Sequence, residues 1–144
     1  MTKEISSMRI AITAAASGIG SYIAAELNAL GAQIAICDHD KERLEAFKEN
    51  HDNILVTKAD VAIESEVIDF FRDINSNLGG LDALINNAGI SGPIANLEDV
   101  KFSDWENTLS VNLNSAFLCS KEAVPMLRNS GGGSIINIGS SSSF

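Results

Sequence analysis

The 144 residues contain little that would staple the chain, span a membrane or grip a nucleic acid. Two cysteines, Cys37 and Cys119, make neither a disulfide framework nor a zinc-ligand spacing, and no metal site is expected. No stretch approaches the roughly 18 uninterrupted apolar residues of a membrane span. Met1 to Ser7 lacks the apolar run of a signal peptide, so a cytoplasmic protein is expected. Positive charge is scarce: ten Lys and Arg face nineteen Asp and Glu, for a formal net charge of -9. Such acidity argues against a phosphate-backbone partner, which selects for a basic patch. Tyrosine occurs once, at Tyr22, and histidine twice, at His39 and His51.

What is present is a core-forming chain, 45% hydrophobic, of a length suited to one domain over 1–144. Apolar strands alternate with amphipathic helices, the signature of a parallel sheet covered on both faces. Strands are expected at Met8 to Ile12, Ile34 to Cys37, Ile54 to Thr57, around Leu84-Ile85 and at Ser134 to Ile138. Between them, Ile19, Ile23, Leu27 and Leu30 fall at helical spacing, with Gly31 as a stop. Lys41 to Asn50 reads as a short charged helix with Leu44 and Phe47 inward, and Val67, Phe71, Ile74 and Leu78 trace a helix ended by Gly79-Gly80. Trp105, Leu109, Leu113 and Phe117 mark the apolar stripe of a long helix reaching Arg128, loosened by Pro125. Right-handed crossovers then place the first and fourth strands side by side, in the order 3-2-1-4-5.

The segment Thr13 to Gly20, Thr-Ala-Ala-Ala-Ser-Gly-Ile-Gly, joins the first strand to the first helix. A helix entered this way aims free backbone N–H groups and the positive end of its dipole at one point, where an anion can sit. The dinucleotide fingerprint has three glycines; this segment has two, with Ala14 in the remaining position. An ordinary turn would look the same. Asp38 lies about 20 residues further on, where a carboxylate can accept from the ribose hydroxyls of NAD and repel the 2'-phosphate of NADP. It could equally open a solvated loop, and either it or Asp40 could cap the next helix. Asp60-Val61, Asn86 to Gly89 and Gly139-Ser140 follow the third, fourth and fifth strands, so all converge on one sheet edge.

In this order the segments resemble those of the short-chain dehydrogenase/reductase family: Thr13 to Gly20, Asp38, Asp60-Val61, Asn86-Asn87-Ala88-Gly89, Asn112 and Ile138-Gly139-Ser140. The resemblance implies a Rossmann-type α/β fold, here truncated after the fifth strand, and hydride transfer between NAD(H) and an alcohol or carbonyl substrate. It implies that Thr13, Ser17, Gly18, Ile19 and Gly20 cradle the pyrophosphate and nearby ribose, that Asp38 holds the adenosine ribose, and that Asp60 and Val61 flank the adenine. Asn87, Ala88 and Gly89 would bring backbone to the cofactor, and Asn86 would tie neighbouring strands. Asn112 would help hold a relay water, and Ser140 would bond the substrate oxygen. The long helix resembles the one through which family members associate, so a homo-oligomer is expected, although its stripe could also face the sheet.

The family's proton donor is the tyrosine of a Tyr-x-x-x-Lys pair. Here Tyr22 is followed four residues later by Glu26 and lies in the first helix, where a packing role is expected. His39 and His51 fall on the adenosine side. The 144 residues are therefore expected to be an N-terminal, cofactor-binding part, incomplete at the C-terminus, with the fifth strand as an uncovered edge and no turnover on its own. A non-catalytic dinucleotide-binding or interaction module is the alternative. A methyltransferase with a similar glycine turn is disfavoured by Asn86 to Gly89 and Ser140.

Overall fold

A computed structural model of the chain describes residues 3–140; the serines after Ser140, and Phe144, lie outside the described residues. Five parallel strands form one sheet in the order β3-β2-β1-β4-β5. They are β1 Arg9–Thr13, β2 Gln33–Asp38, β3 Leu55–Lys58, β4 Ala83–Asn86 and β5 Ser134–Asn137. The helices between them are α1 Gly18–Ala29, α2 Lys41–Lys48, α3 Glu64–Leu78, α4 Phe102–Leu109 and α5 Ser115–Asn129. α1 and α2 cover one face; α3 and α5 cover the other.

Strand periodicity assigns each side chain to a face. Ile10, Ile12, Ile34, Ile36, Ala83 and Ile85 pack under α1 and α2 with Ala24, Leu44 and Phe47. Ala11, Ala35, Leu84 and Leu81 pack under α3 and α5 with Val67, Phe70, Phe71, Ile74, Cys119 and Ala123. Both cysteines are buried thiols, and desolvation raises the pKa of each, that of Cys119 to about 12. They are inert packing groups at neutral pH.

Local signals fix the ends of elements. Asp40 is the N-cap of α2, its carboxylate accepting from the Arg43 N–H at 3.1 Å. Gly79 ends α3 at φ 70°, a conformation glycine adopts without strain. At the amino ends of the strands, the Asp82 carboxylate accepts from Arg9 Nε at 2.9 Å and Lys3 Nζ at 2.6 Å, and Arg9 also reaches Ser130 Oγ at 2.8 Å. This clamp joins β1, the start of β4 and the end of α5. The guanidinium beside it holds the Asp82 carboxyl well below the ordinary carboxylate range.

One expected helix face is corrected, and the open alternative for a second is decided. On α1, Ile19 and Leu30 are exposed, Ile23 and Leu27 are only partly buried, and Gly20 and Ala24 are the buried residues. A Cβ on Gly20 would lie 2.6 Å from Asn87 Nδ2 and 2.9 Å from Ala15 Cα, so α1 docks through its smallest residues. On the long helix, Trp105, Leu109, Leu113 and Phe117 are exposed, and Ser115, Cys119, Ala123 and Leu127 face the sheet. The helix is also not continuous α: Ser110–Asn114 forms a π-turn in which the Ser115 N–H donates to Ser110 O, five residues back. Pro125 lies inside α5, which continues to Asn129. Tyr22, expected to pack, is 68% exposed.

Candidate functional site

The carboxyl ends of β1, β2, β3 and β4 surround one cavity, lined by Ala14, Asp38, His39, Asp60, Val61, Ala88, Gly89, Asn107 and Val111 among others. A second cavity lies beside it toward β5, lined by Asn87 to Ser91, Asn112, Ile138, Gly139 and Ser140. The two share Ala88, Gly89 and Ile90, so the loop after β4 is the wall between them.

The turn after β1 is held by side chains rather than by its own backbone. Thr13 Oγ1 accepts the N–H groups of Asn87, at 3.0 Å, and Ala88, at 3.2 Å. Asn87 Nδ2 in turn donates to the carbonyls of Thr13, at 3.0 Å, and Ala14, at 2.9 Å. The two strand ends are thereby locked together. Ala14, the residue where the fingerprint has glycine, adopts φ 50° in the left-handed region. That conformation costs an L-residue roughly 1–2 kcal/mol, and the Asn87 amide on its carbonyl helps hold it there.

The helix α1 then starts at Gly18, φ 61°, after Ser17, whose side chain makes no cap bond. Ser17 Oγ accepts instead from Arg43 Nη1 at 3.2 Å. The first-turn N–H groups of a 12-residue helix are thus not consumed by a cap, which suits an anion placed at the dipole's positive end. Gly20 meets neighbouring atoms so closely that a larger residue would force Asn87 or the Ala14-Ala15 backbone to shift. These features fit a dinucleotide pyrophosphate.

Asp38 is 6% exposed, and its two oxygens are oriented by backbone: Oδ2 accepts from Ala16 N–H at 3.2 Å and Oδ1 from Asp40 N–H at 3.1 Å. It therefore ties β2 to the glycine turn while bordering the cavity. Asp60 Oδ1 accepts from Ala62 N–H at 2.9 Å, and the Asp60 N–H donates to Glu66 Oε2 at 2.7 Å. Asn86 Nδ2 donates to Asn137 Oδ1 at 2.8 Å and to Ser120 Oγ, joining β4 to β5 and α5. Asn112 clamps the β4 loop from the π-turn: its Nδ2 donates to Ile90 O at 2.9 Å, and its Oδ1 accepts from Ile90 N–H at 2.7 Å.

Of the residues singled out by sequence, Asp38, Asp60, Val61, Ala88 and Gly89 line the first cavity, Asn112 and Ser140 the second, and Asn87 supports the turn between them. Tyr22 lies on neither; it borders a groove between α1 and α2 with Arg43, Phe47 and His51. Sequence reasoning missed Glu66, Asn107, Val111 and the contact of His39 with Asp38. A helical glutamate or asparagine in an acidic, polar chain carries no local mark of such a role.

Comparison with known proteins decides the family. The short chain dehydrogenase family model matches residues 8–144. The chain belongs to that family. It is 39% identical over 136 residues to Short chain dehydrogenase/reductase dpfgG of Gibberella zeae, covering 91% of this chain and 50% of that protein. It is 32% identical to a 2-dehydro-3-deoxy-L-rhamnonate dehydrogenase (NAD(+)) of Sphingomonas, covering 90% of this chain and 52% of the relative. The solved 3-ketoacyl-ACP reductase of Sinorhizobium meliloti superposes with a TM-score of 0.87 at 33% identity, over 92% of this chain and 53% of that one. The short-chain dehydrogenase chain thus spans about half the length of the curated relatives it matches. It has the fold of that family. Among the described residues, no helix is long and apolar enough to cross a membrane, and no group of three His, Cys, Asp or Glu could hold a metal.

Proposed function

We propose that this chain is the NAD-binding part of an oxidoreductase acting on a small alcohol or carbonyl compound. The observation that carries the reading is the cavity bordered by Ala14, Asp38, Asp60, Val61, Ala88 and Gly89, beside an α1 N-terminus that no side chain caps. The nicotinamide, when bound, supplies or accepts the hydride. The rest is positioning by the chain. Thr13, Ser17, Gly18, Ile19 and Gly20 form the anion cradle, Asp38 accepts from the adenosine ribose, and Asp60 and Val61 hold the adenine. The backbone at Asn87, Ala88 and Gly89 carries the cofactor past β4. Ser140 bonds the substrate oxygen where charge develops, and Asn112, anchoring Ile90, sets the wall between the cavities.

Asp38 favours NAD over NADP, because a buried carboxylate repels a 2'-phosphate while its remaining lone pairs still accept from hydroxyls. Proton transfer needs a tuned donor beside the substrate oxygen, and the single tyrosine of these residues stands on α1. The 144-residue polypeptide is therefore expected to bind NADH without measurable carbonyl reduction. The exposed row Phe102, Trp105, Leu109, Leu113 and Phe117 supports association into a homo-oligomer. That row and the misplaced tyrosine also support the second reading, a non-catalytic dinucleotide-binding or interaction module.

Calorimetric titration at pH 8 with NADH, NADPH and S-adenosylmethionine tests the reading. NADH is expected to bind most tightly and S-adenosylmethionine not at all, with Asp38→Ala narrowing the gap between NADH and NADPH. Absence of NADH binding at millimolar concentration overturns the cofactor assignment, and ordinary turnover with NADH overturns the inactive state.

A further inference from the structure

Resting on the adenine-pocket reading above, we infer that Glu66 on α3 is a positioning residue that aims the Asp60 carboxylate at the exocyclic amine of an adenine. Asp60 borders the first cavity and is fixed at three points. Its N–H donates to Glu66 Oε2 at 2.7 Å, its carbonyl accepts from Ile63 N–H at 3.0 Å, and its Oδ1 accepts from Ala62 N–H at 2.9 Å. The last two bonds close a local turn over residues 60–63. Only the first comes from the body of α3, which is seated in the core by Val67, Phe70 and Phe71.

A glutamate in the first turn of a helix has an ordinary role as well, since it complements the positive end of the dipole. The geometry separates the two roles. A glutamate three residues into a helix reaches back to the N–H of the cap residue, here Ile63. That N–H is already taken by Asp60 O, and the Glu66 carboxylate passes it to reach a donor three residues earlier. Glu64, on the same helical turn, pairs instead with Lys121 Nζ at 2.8 Å. Upstream, the Ala59 N–H donates to Asp38 O at 3.0 Å, so β2 holds the residue before Asp60 and α3 holds Asp60 itself. Among the described residues, Asp60 Oδ2 makes no hydrogen bond, which leaves it to receive a ligand donor at a place set by the turn.

The test compares NADH with its hypoxanthine analogue by calorimetry at neutral pH on the 144-residue chain. Hypoxanthine carries a carbonyl oxygen where adenine carries the amine, so an aimed carboxylate favours NADH and repels the analogue. Glu66→Ala is expected to cut the NADH-to-analogue affinity ratio about fivefold, the scale of one hydrogen bond. Glu66→Gln keeps an acceptor oxygen at the same reach and is expected to stay within about twofold of the parent ratio. Glu66→Asp keeps the charge at the helix start but shortens the reach, so it guards the fold and is expected to follow E66A. A glutamate that only stabilised the helix would leave the ratio unmoved. If NADH binds and the ratio is unchanged in E66A and E66D, or if E66Q loses it as fully as E66A, the inference is overturned and the cofactor reading stands. Equal affinity of the parent for both ligands likewise overturns the inference. If the parent fails to bind NADH, both fall.

Discussion

One row of side chains crosses β2, β1, β4 and β5 in register, and its two ends differ. Ile36 on β2, Ile12 on β1, Ile85 on β4 and Ile136 on β5 share the face covered by α1 and α2. Their exposures are 0%, 0%, 5% and 46%. On the opposite face, Ala35, Ala11 and Leu84 are fully buried, and Ile135 on β5 still packs against the α3 and α5 core. The sheet is therefore closed on both faces at β2 and β1, whereas at β5 it is closed on one. The anchoring bonds divide in the same way. Thr13, Asn87 and Asp38 hold the cradle with paired side-chain and backbone bonds, and Ile136 and Ile138 border open space. In this chain the strands on the β1 and β2 side are packed on both faces, and the β5 strand leaves apolar surface exposed on one.

Substitutions along the row test that contrast most strongly. Ile36→Ala should cost about 2–5 kcal/mol in chemical denaturation, since its cavity is enclosed on all sides. A loss near that of a surface change would mean the cradle side is loosely packed. Asp82→Asn, at the clamp joining the two sides, should cost about 2–3 kcal/mol, below a fully buried pair because Lys3 and Arg9 retain solvent. The folded carboxyl is held below its unfolded value, so its contribution is complete above about pH 4 and is lost as pH falls toward the folded pKa. Acid titration of stability should accordingly be flatter below pH about 4 in D82N than in the parent. Gly20→Ala should cost about 1–3 kcal/mol and weaken NADH binding, because the added methyl meets Asn87 and the Ala15 backbone.

Ala14→Gly works in the other direction. Relieving a left-handed alanine should add about 0.5–1 kcal/mol of stability, after the extra entropy of an unfolded glycine is subtracted. Ile136→Ala should change stability by less than about 0.5 kcal/mol, in keeping with a half-exposed side chain at the sheet edge. A loss comparable to that of Ile36→Ala would erase the distinction between the two sides.

The strand order and the site segments were legible because they depend on short apolar runs and on the residues that directly follow them. Asp38, Asp60 and Gly89 could be placed at one edge from chain order alone. Helix faces were less legible, for a physical reason. Apolar periodicity weights large residues, whereas α1 docks on Gly20 and Ala24, and α5 on Ser115, Cys119 and Ala123. The π-turn at Ser110–Asn114 also shifts the helical phase, so a stripe begun at Trp105 cannot be carried across it by a fixed spacing. At Asn87 the sequence points only to the backbone, whereas its side chain is the bolt that fixes the Ala14 turn. Contacts such as Glu66 to the Asp60 N–H, or His39 to Asp38, depend on how α3 and the β2 loop sit in space, which no local pattern encodes.

The proposed function puts the adenosine half of a nicotinamide dinucleotide in the first cavity. Amide chemical shifts of the isotope-labelled chain, followed during titration with ADP-ribose, test it most directly. Saturable shifts at Ala14 to Gly20, Asp38, Asp60-Val61 and Ala88-Gly89, with β5 unmoved, are the predicted result. Shifts confined to the groove between α1 and α2, or none at millimolar ligand, would contradict it.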